Sequence, residues 1–195
     1  MKKFELTDEF VTNVFGKKLF RIKALVAFGN VEKGELGGFI EKEDNLSHGG
    51  NAWVSGNAWV SGNAWVSGNA WVFGNAWVFG NAQVSGDARV SGNAQVSGDA
   101  RVSGNAQVFG NAWVSGNAQV FGNADYAVVT GFGRYFRATT FFRCKDKILR
   151  IQCGCFYGDL AQFREIVKKT HGDSKYAKEY LAIADLMELH FSDEC

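Results

Sequence analysis

Four cysteines and three histidines hold most of the metal or nucleophile chemistry in this 195-residue chain: Cys144, Cys153, Cys155 and Cys195, with His48, His171 and His190. Cys144, Cys153, Cys155 and His171 are the set that zinc would use, since thiolates and imidazoles are its usual ligands. The spacing opposes that reading. Cys-x-Cys is tighter than the usual gap between paired ligands, and no second pair follows. Buried thiols acting as small core residues are the preferred reading, with no metal and no cofactor expected. Charge offers a second candidate. Arg134, Arg137, Arg143, Lys145, Lys147 and Arg150 are opposed within their stretch only by Asp146, a local net charge of +5 (six minus one). Phe132, Tyr135, Phe136, Phe141 and Phe142 interleave them. Basic plus aromatic is the composition of a nucleotide or nucleic-acid surface. The competing and preferred reading is a solvated hairpin whose aromatics support two helices, which need an apolar sheet to pack on.

Any element that positions these residues must join a long array. From Asn51 to Gly122, twelve consecutive six-residue units repeat Asn or Asp, Ala, a variable residue, Val, Ser or Phe, Gly. A fixed period names an architecture before any one residue is weighed. In an extended segment Ala52 and Val54 share one face, and Trp53 and Ser55 share the other. Gly56-Asn57 then breaks the strand, because Gly accepts positive φ freely and Asn better than most residues. Each unit reads as a short strand and a corner, with Ala and Val inward and the variable residue outward. One short strand cannot bury its own face, so the units must stack as a solenoid.

The Val-x-Gly-Asn-Ala-x pattern resembles the hexapeptide repeat of left-handed parallel β-helices. In that family an aliphatic residue and a small residue four positions later line a triangular prism, three units to a coil. The resemblance covers residues 51–122 and implies a mainly β fold, a left-handed parallel β-helix of about four regular coils. Three units per coil sort the outward residues onto three faces: Trp53, Trp71, Arg89 and Gln107; Trp59, Trp77, Gln95 and Trp113; Trp65, Gln83, Arg101 and Gln119. Phe73 and Phe79 stand beside Trp71 and Trp77. Trp53, Trp59, Trp65, Trp71, Phe73, Trp77, Phe79 and Trp113 are therefore the candidate aromatic binding face. Large exposed apolar patches mark interfaces, and Trp is enriched at interface hot spots. A homodimer, homotrimer or protein-partner surface is the first reading, cover by the chain's own terminal segments the second, and base or sugar stacking the third. Ring stacking along the sheet is the purely structural alternative.

Acyltransferases and a class of carbonic anhydrase use this prism with histidines upon it. The array here has no His, Glu or Cys, so both enzyme readings are set aside and no catalytic residue is expected. Its only charges are Asp87, Arg89, Asp99 and Arg101, net zero, which suits neither a DNA-mimicking rod nor a basic nucleic-acid stripe. No stretch reaches the ~18 apolar residues of a membrane span, and Met1–Glu9 carries charges where a signal peptide has an apolar run. A cytoplasmic protein without membrane partners is expected.

Flanking the array, Phe20–Phe28 reads as a strand. Ile40 and Leu46, six apart, read as a degenerate first coil over 31–50, with residues 1–30 capping the open end. After Ala124, the runs Phe136–Cys144 and Ile148–Cys155 read as a hairpin about Lys145-Asp146-Lys147. Asp159 opens a helix running through Thr170, and a second helix starts near Ser174. The expected organisation is an N-terminal cap and first coil (1–50), the β-helix (51–124) and a small C-terminal ββαα cap (125–195). The combination of Leu36-Gly37-Gly38-Phe39-Ile40, the Gly-Asn-Ala-x-Val array, Cys153-Gly154-Cys155-Phe156 and Thr170-His171-Gly172-Asp173 resembles uncharacterised proteins of phages and prophages. That resemblance carries over no function but points toward a phage accessory protein, for example an inhibitor of a host defence system. With no catalytic residue expected, the reading is a non-catalytic protein that inhibits or sequesters a host defence protein. A sponge for a nucleotide signal and a virion structural part are the alternatives, with an acyltransferase-like enzyme last.

Overall fold

The structure is a computed structural model and describes residues 1–192. Strands β1 (Phe4–Thr12), β2 (Lys18–Ala24) and β3 (Leu36–Ile40) precede twelve two-residue strands, β4 to β15, one per unit from Trp53–Val54 to Gln119–Val120. Each pairs in parallel with the strand 18 residues away: Trp53 with Trp71, Trp71 with Arg89, Arg89 with Gln107. Eighteen residues is three units, so one coil has three sides and the strands form three parallel sheets. The three faces are those read from the sequence. With the degenerate first coil, the chain is a parallel β-solenoid of about five turns.

The core is the Ala/Val face. Every array Ala and Val is at most 1 % exposed, and a fully buried Val contributes about 1.5 kcal/mol or more. The corners close because Gly56 to Gly116, one per unit, hold φ between 62° and 73°. They also stack closely: a methyl at Gly92 would lie 3.0 Å from the backbone N and O of Gly110. At the outer corner the Asn side chains form ladders, as where Asn57 Nδ2 donates to Asn75 Oδ1 (3.5 Å) and Asn75 Nδ2 to Asn93 Oδ1 (3.2 Å). Asp87 and Asp99 accept from Asn69 and Asn81, but an ionised carboxylate cannot donate onward, so those two ladders stop there.

Along the stack, three backbone N–H groups per unit donate toward the C-terminal end: Trp53 to Ala70 (3.0 Å), Ser55 to Val72 (2.9 Å), Asn57 to Gly74 (2.9 Å). The N-terminal end therefore presents carbonyls, and donors meet them. Phe39, Glu41 and Ser47 N–H groups reach Ala58, Val60 and Val66 O. The buried Asn45 amide donates to Gly62 O (3.1 Å) and Ala64 O (2.8 Å). Lys3 Nζ donates to Ala52 O at 2.8 Å. The C-terminal end presents N–H groups, and acceptors meet them. Gln107 N donates to Asn123 Oδ1 (2.9 Å), Trp113 N to Thr140 Oγ1 (2.9 Å) and Phe121 N to Asp125 Oδ2 (2.8 Å).

The caps differ in part from expectation. Residues 31–50 do form a first coil: β3 pairs in parallel with Trp59–Val60, and Leu46 bridges Val66. The N-terminal strand stops at Ala24 rather than Phe28. It forms an antiparallel hairpin with β1, so that β1-β2-β3 extends the second-face sheet to seven strands. The C-terminal cap is not ββαα. It is an antiparallel sheet of β16 (Tyr126–Val129), β17 (Thr139–Arg143), β18 (Leu149–Cys153) and β19 (Phe156–Asp159), followed by α1 (Leu160–His171) and α2 (Lys175–His190). Gly154 at φ 58° turns the chain where the sequence reading ran the strand on to Cys155, and Phe136 at φ 52° keeps the first run irregular as far as Thr139. One face of this sheet, with Tyr126, Phe142 and Cys144, closes the solenoid core. The other, with Phe141 and Ile151, packs on Phe163, Val167, Ala177, Tyr180, Ala184 and Met187 of the helices. Asp159 and Ser174 cap α1 and α2.

Lys3 is 3 % exposed, and burial lowers its pKa from 10.5 to about 8. Between those values the unfolded chain holds more protons, so stability rises with pH across that window. Below it the folded chain carries the cost of a buried ammonium. Denaturant titrations on either side of the window should show the wild type gaining stability relative to Lys3→Met as pH rises, the opposite contribution of the buried Cys144 being common to both.

Candidate binding surface

The second face is the aromatic one. Trp59 and Trp77, one coil apart, stack with ring centroids 4.7 Å apart and planes within 9°. Gln95 follows in register, then Trp113, whose Nε1 donates to Ser97 Oγ at 3.2 Å. The β1–β2 turn overhangs this ladder. Asn13 Oδ1 accepts from Phe15 N (3.0 Å) and Lys17 N (2.9 Å), fixing the turn. Lys17 Nζ meets Glu41 Oε1 at 2.8 Å, and Glu41 Oε2 accepts from Gly62 N at 2.6 Å. Burial alone would raise the Glu41 pKa, yet Lys17, the Gly62 N–H and Lys42 hold it below the usual value. Between tip and ladder lies a cleft of about 520 Å³, lined by Val14, Phe15, Trp59, Trp77, Phe79, Trp113 and a few polar groups. Val14 and Phe15 are each 79 % exposed. Sequence reading missed them, although two apolar residues inside an Asn-x-x-Gly turn were a visible signal.

Other members of the expected aromatic face do not join this site. Trp53 is 1 % exposed and is corrected from a binding residue to a core residue. Its ring meets Phe28 edge-on at 5.4 Å, and a methyl at Gly37 would lie 2.7 Å from its Cζ2. The N-terminal cap covers it because it is the first outward residue of the array, directly under Phe28 and Gly37. Trp71 and Phe73 form an edge-to-face pair on the first face. Trp65 stands exposed on the third face beside Glu43, Asp44 and His48.

The basic cluster divides. Alternate strand residues face opposite sides, and Phe142 pairs with Arg150. Arg150 thus points to the solenoid side, where it meets Asp146 at 2.8 Å. Arg143 points to the helix side and donates to Phe191 O at 3.1 Å. Lys145 and Lys147 are exposed at the turn. Arg134 and Arg137 lie at the far end of the sheet, flanking Tyr135. The six charges do not converge on one phosphate-binding surface.

The thiols divide as well. Cys144 faces the solenoid and burial pushes its pKa up to about 11. Cys153 packs on the helix side, and Cys155 is exposed in the turn rather than sharing a strand face with Cys153. Cys195 lies outside the described residues. Among those residues no three His, Cys, Asp or Glu groups gather as for a metal ion, and no helix is long and apolar enough to cross a membrane.

Residues 52–68, 82–98, 94–108 and 106–122 match the family model of the YdcK beta solenoid repeat. The chain is a β-solenoid repeat protein. All four matched segments lie within the array, so the likeness describes the scaffold and does not reach either cap. No curated protein matches the chain.

Burial separates the tryptophans energetically. Trp53→Ala should cost about 3–5 kcal/mol, whereas Trp65→Ala should stay within ~0.5 kcal/mol of wild type. Urea titrations of the two variants check the assignment of core against surface.

Proposed function

We propose that this protein is a non-catalytic binding scaffold whose cleft between the Trp59–Trp77–Trp113 ladder and the Val14–Phe15 tip takes an apolar segment of a protein partner. The observation that supports this reading is the cleft itself: stacked indoles and exposed apolar tip residues around one concave space, with little polar lining. Desolvated aromatic anchors dominate binding energy at interfaces. The array supplies rigidity, since each coil is held by its neighbours through the backbone ladder. A host defence protein is the partner we propose, and for that choice the resemblance to phage-type proteins is the support. Self-association through the same face, as a dimer or trimer, is the other form of this reading.

Light scattering over a concentration range, with capture of partners from host lysate, tests the proposal. The wild type should either assemble or capture a partner. Trp59→Ala with Trp77→Ala should weaken that interaction by about 2 kcal/mol or more, roughly 30-fold, with the melting temperature little changed. Unaltered assembly and unaltered capture would contradict it.

A further inference from the structure

A second concavity lies in the C-terminal cap and shares no lining residue with the tryptophan cleft. It occupies about 220 Å³ between the Gly131–Arg137 loop, the β18–β19 turn and the two helices. Its floor is apolar: Phe156, Phe163, Ile166 and Val167. Arg134, Arg137 and His171 stand around it, with the Tyr180 ring stacked on His171 at 5.8 Å.

The loop carrying the arginines is held in place. Gly133 N donates to Glu179 Oε2 at 2.9 Å. A methyl at Gly133, which holds φ 72°, would collide with the Tyr180 hydroxyl and ring, so glycine suits this approach. Arg134 and Arg137 flank the exposed Tyr135, their guanidinium carbons 5.5 and 5.0 Å from its ring centroid. Gly154 allows Arg137 to pass, since a methyl there would lie 2.6 Å from Arg137 Nη1. Among the described residues neither arginine forms an ion pair. Glu179, the carboxylate that accepts from the loop, is engaged by the Gly133 N–H and by Lys175 Nζ at 3.5 Å.

Two guanidinium groups without carboxylate partners, beside an apolar floor, define a ligand by chemistry. Guanidinium forks match carboxylate and phosphate oxygens. An apolar cavity of ~150 Å³ already admits a benzene ring, so this one has room for a ring and a small head group. We infer that this pocket binds a small organic anion with an aromatic body, its carboxylate or phosphate held by Arg134 and Arg137 and its ring on Phe156, Phe163 and Val167.

Calorimetry with phenyl phosphate, inorganic phosphate and phenol, on the full chain, tests this. Phenyl phosphate should bind more tightly than either of the other probes. Arg137→Ala and Arg134→Ala, both exposed positions, should each weaken it about tenfold or more, the worth of a hydrogen bond to a charged group. Phenol affinity should stay unchanged in both variants. Equal binding of phenyl phosphate and inorganic phosphate would overturn the aromatic half of the inference. Binding unaffected by both substitutions, or no binding of any probe at millimolar concentration, would overturn the site. Neither result bears on the tryptophan cleft.

Discussion

Everything in this molecule depends on an 18-residue hydrogen-bond register that has a direction. Three N–H groups of each unit point toward the C-terminal end, so the stack has a donor end and an acceptor end, much as a helix does. Neither end is satisfied by another copy of the repeat, and buried unpaired backbone groups are costly. The caps are therefore chemically opposite. Lys3 and Asn45 bring donors to the carbonyl end. Asn123, Asp125 and Thr140 bring acceptors to the N–H end. The departures from the repeat at each end follow from this requirement.

The same register explains where surface chemistry can gather. A coil of three nearly identical units has no concavity of its own, because its outer residues project from flat sheets. Concave space arises only where a cap overhangs a face or folds on itself. The tryptophan cleft needs the β1–β2 tip above Trp59 and Trp77, and the C-terminal pocket needs the Gly131–Arg137 loop above α1 and α2.

The scaffold was legible in the sequence, and the sites less so. The Ala/Val period is local, and it forces inward and outward directions, coil length and the three faces. The first coil was readable too, from Ile40 and Leu46. What the period cannot show is which outward residue a cap will cover. Trp53 has the same neighbours in sequence as Trp59, yet it is buried under Phe28 and Gly37 because of its position in the stack. The C-terminal sheet was half seen. β16 and β19 are four residues each, too short for a periodic signal, and Gly154 and Phe136 redirect the chain through single φ angles. The basic cluster looked like one patch in sequence because charge counting ignores strand alternation, which sends Arg143 and Arg150 to opposite sides.

Amide hydrogen exchange on Asn45→Ala shows whether chemically opposite caps complete a directional ladder. This substitution removes the donors to Gly62 O and Ala64 O, and solenoid stability is local to neighbouring coils. Exchange should quicken across residues 51–68 and stay unchanged across 105–122. A uniform loss of protection over both segments, or no change in either, would mean that the Asn45 donors do not complete the carbonyl end of the ladder.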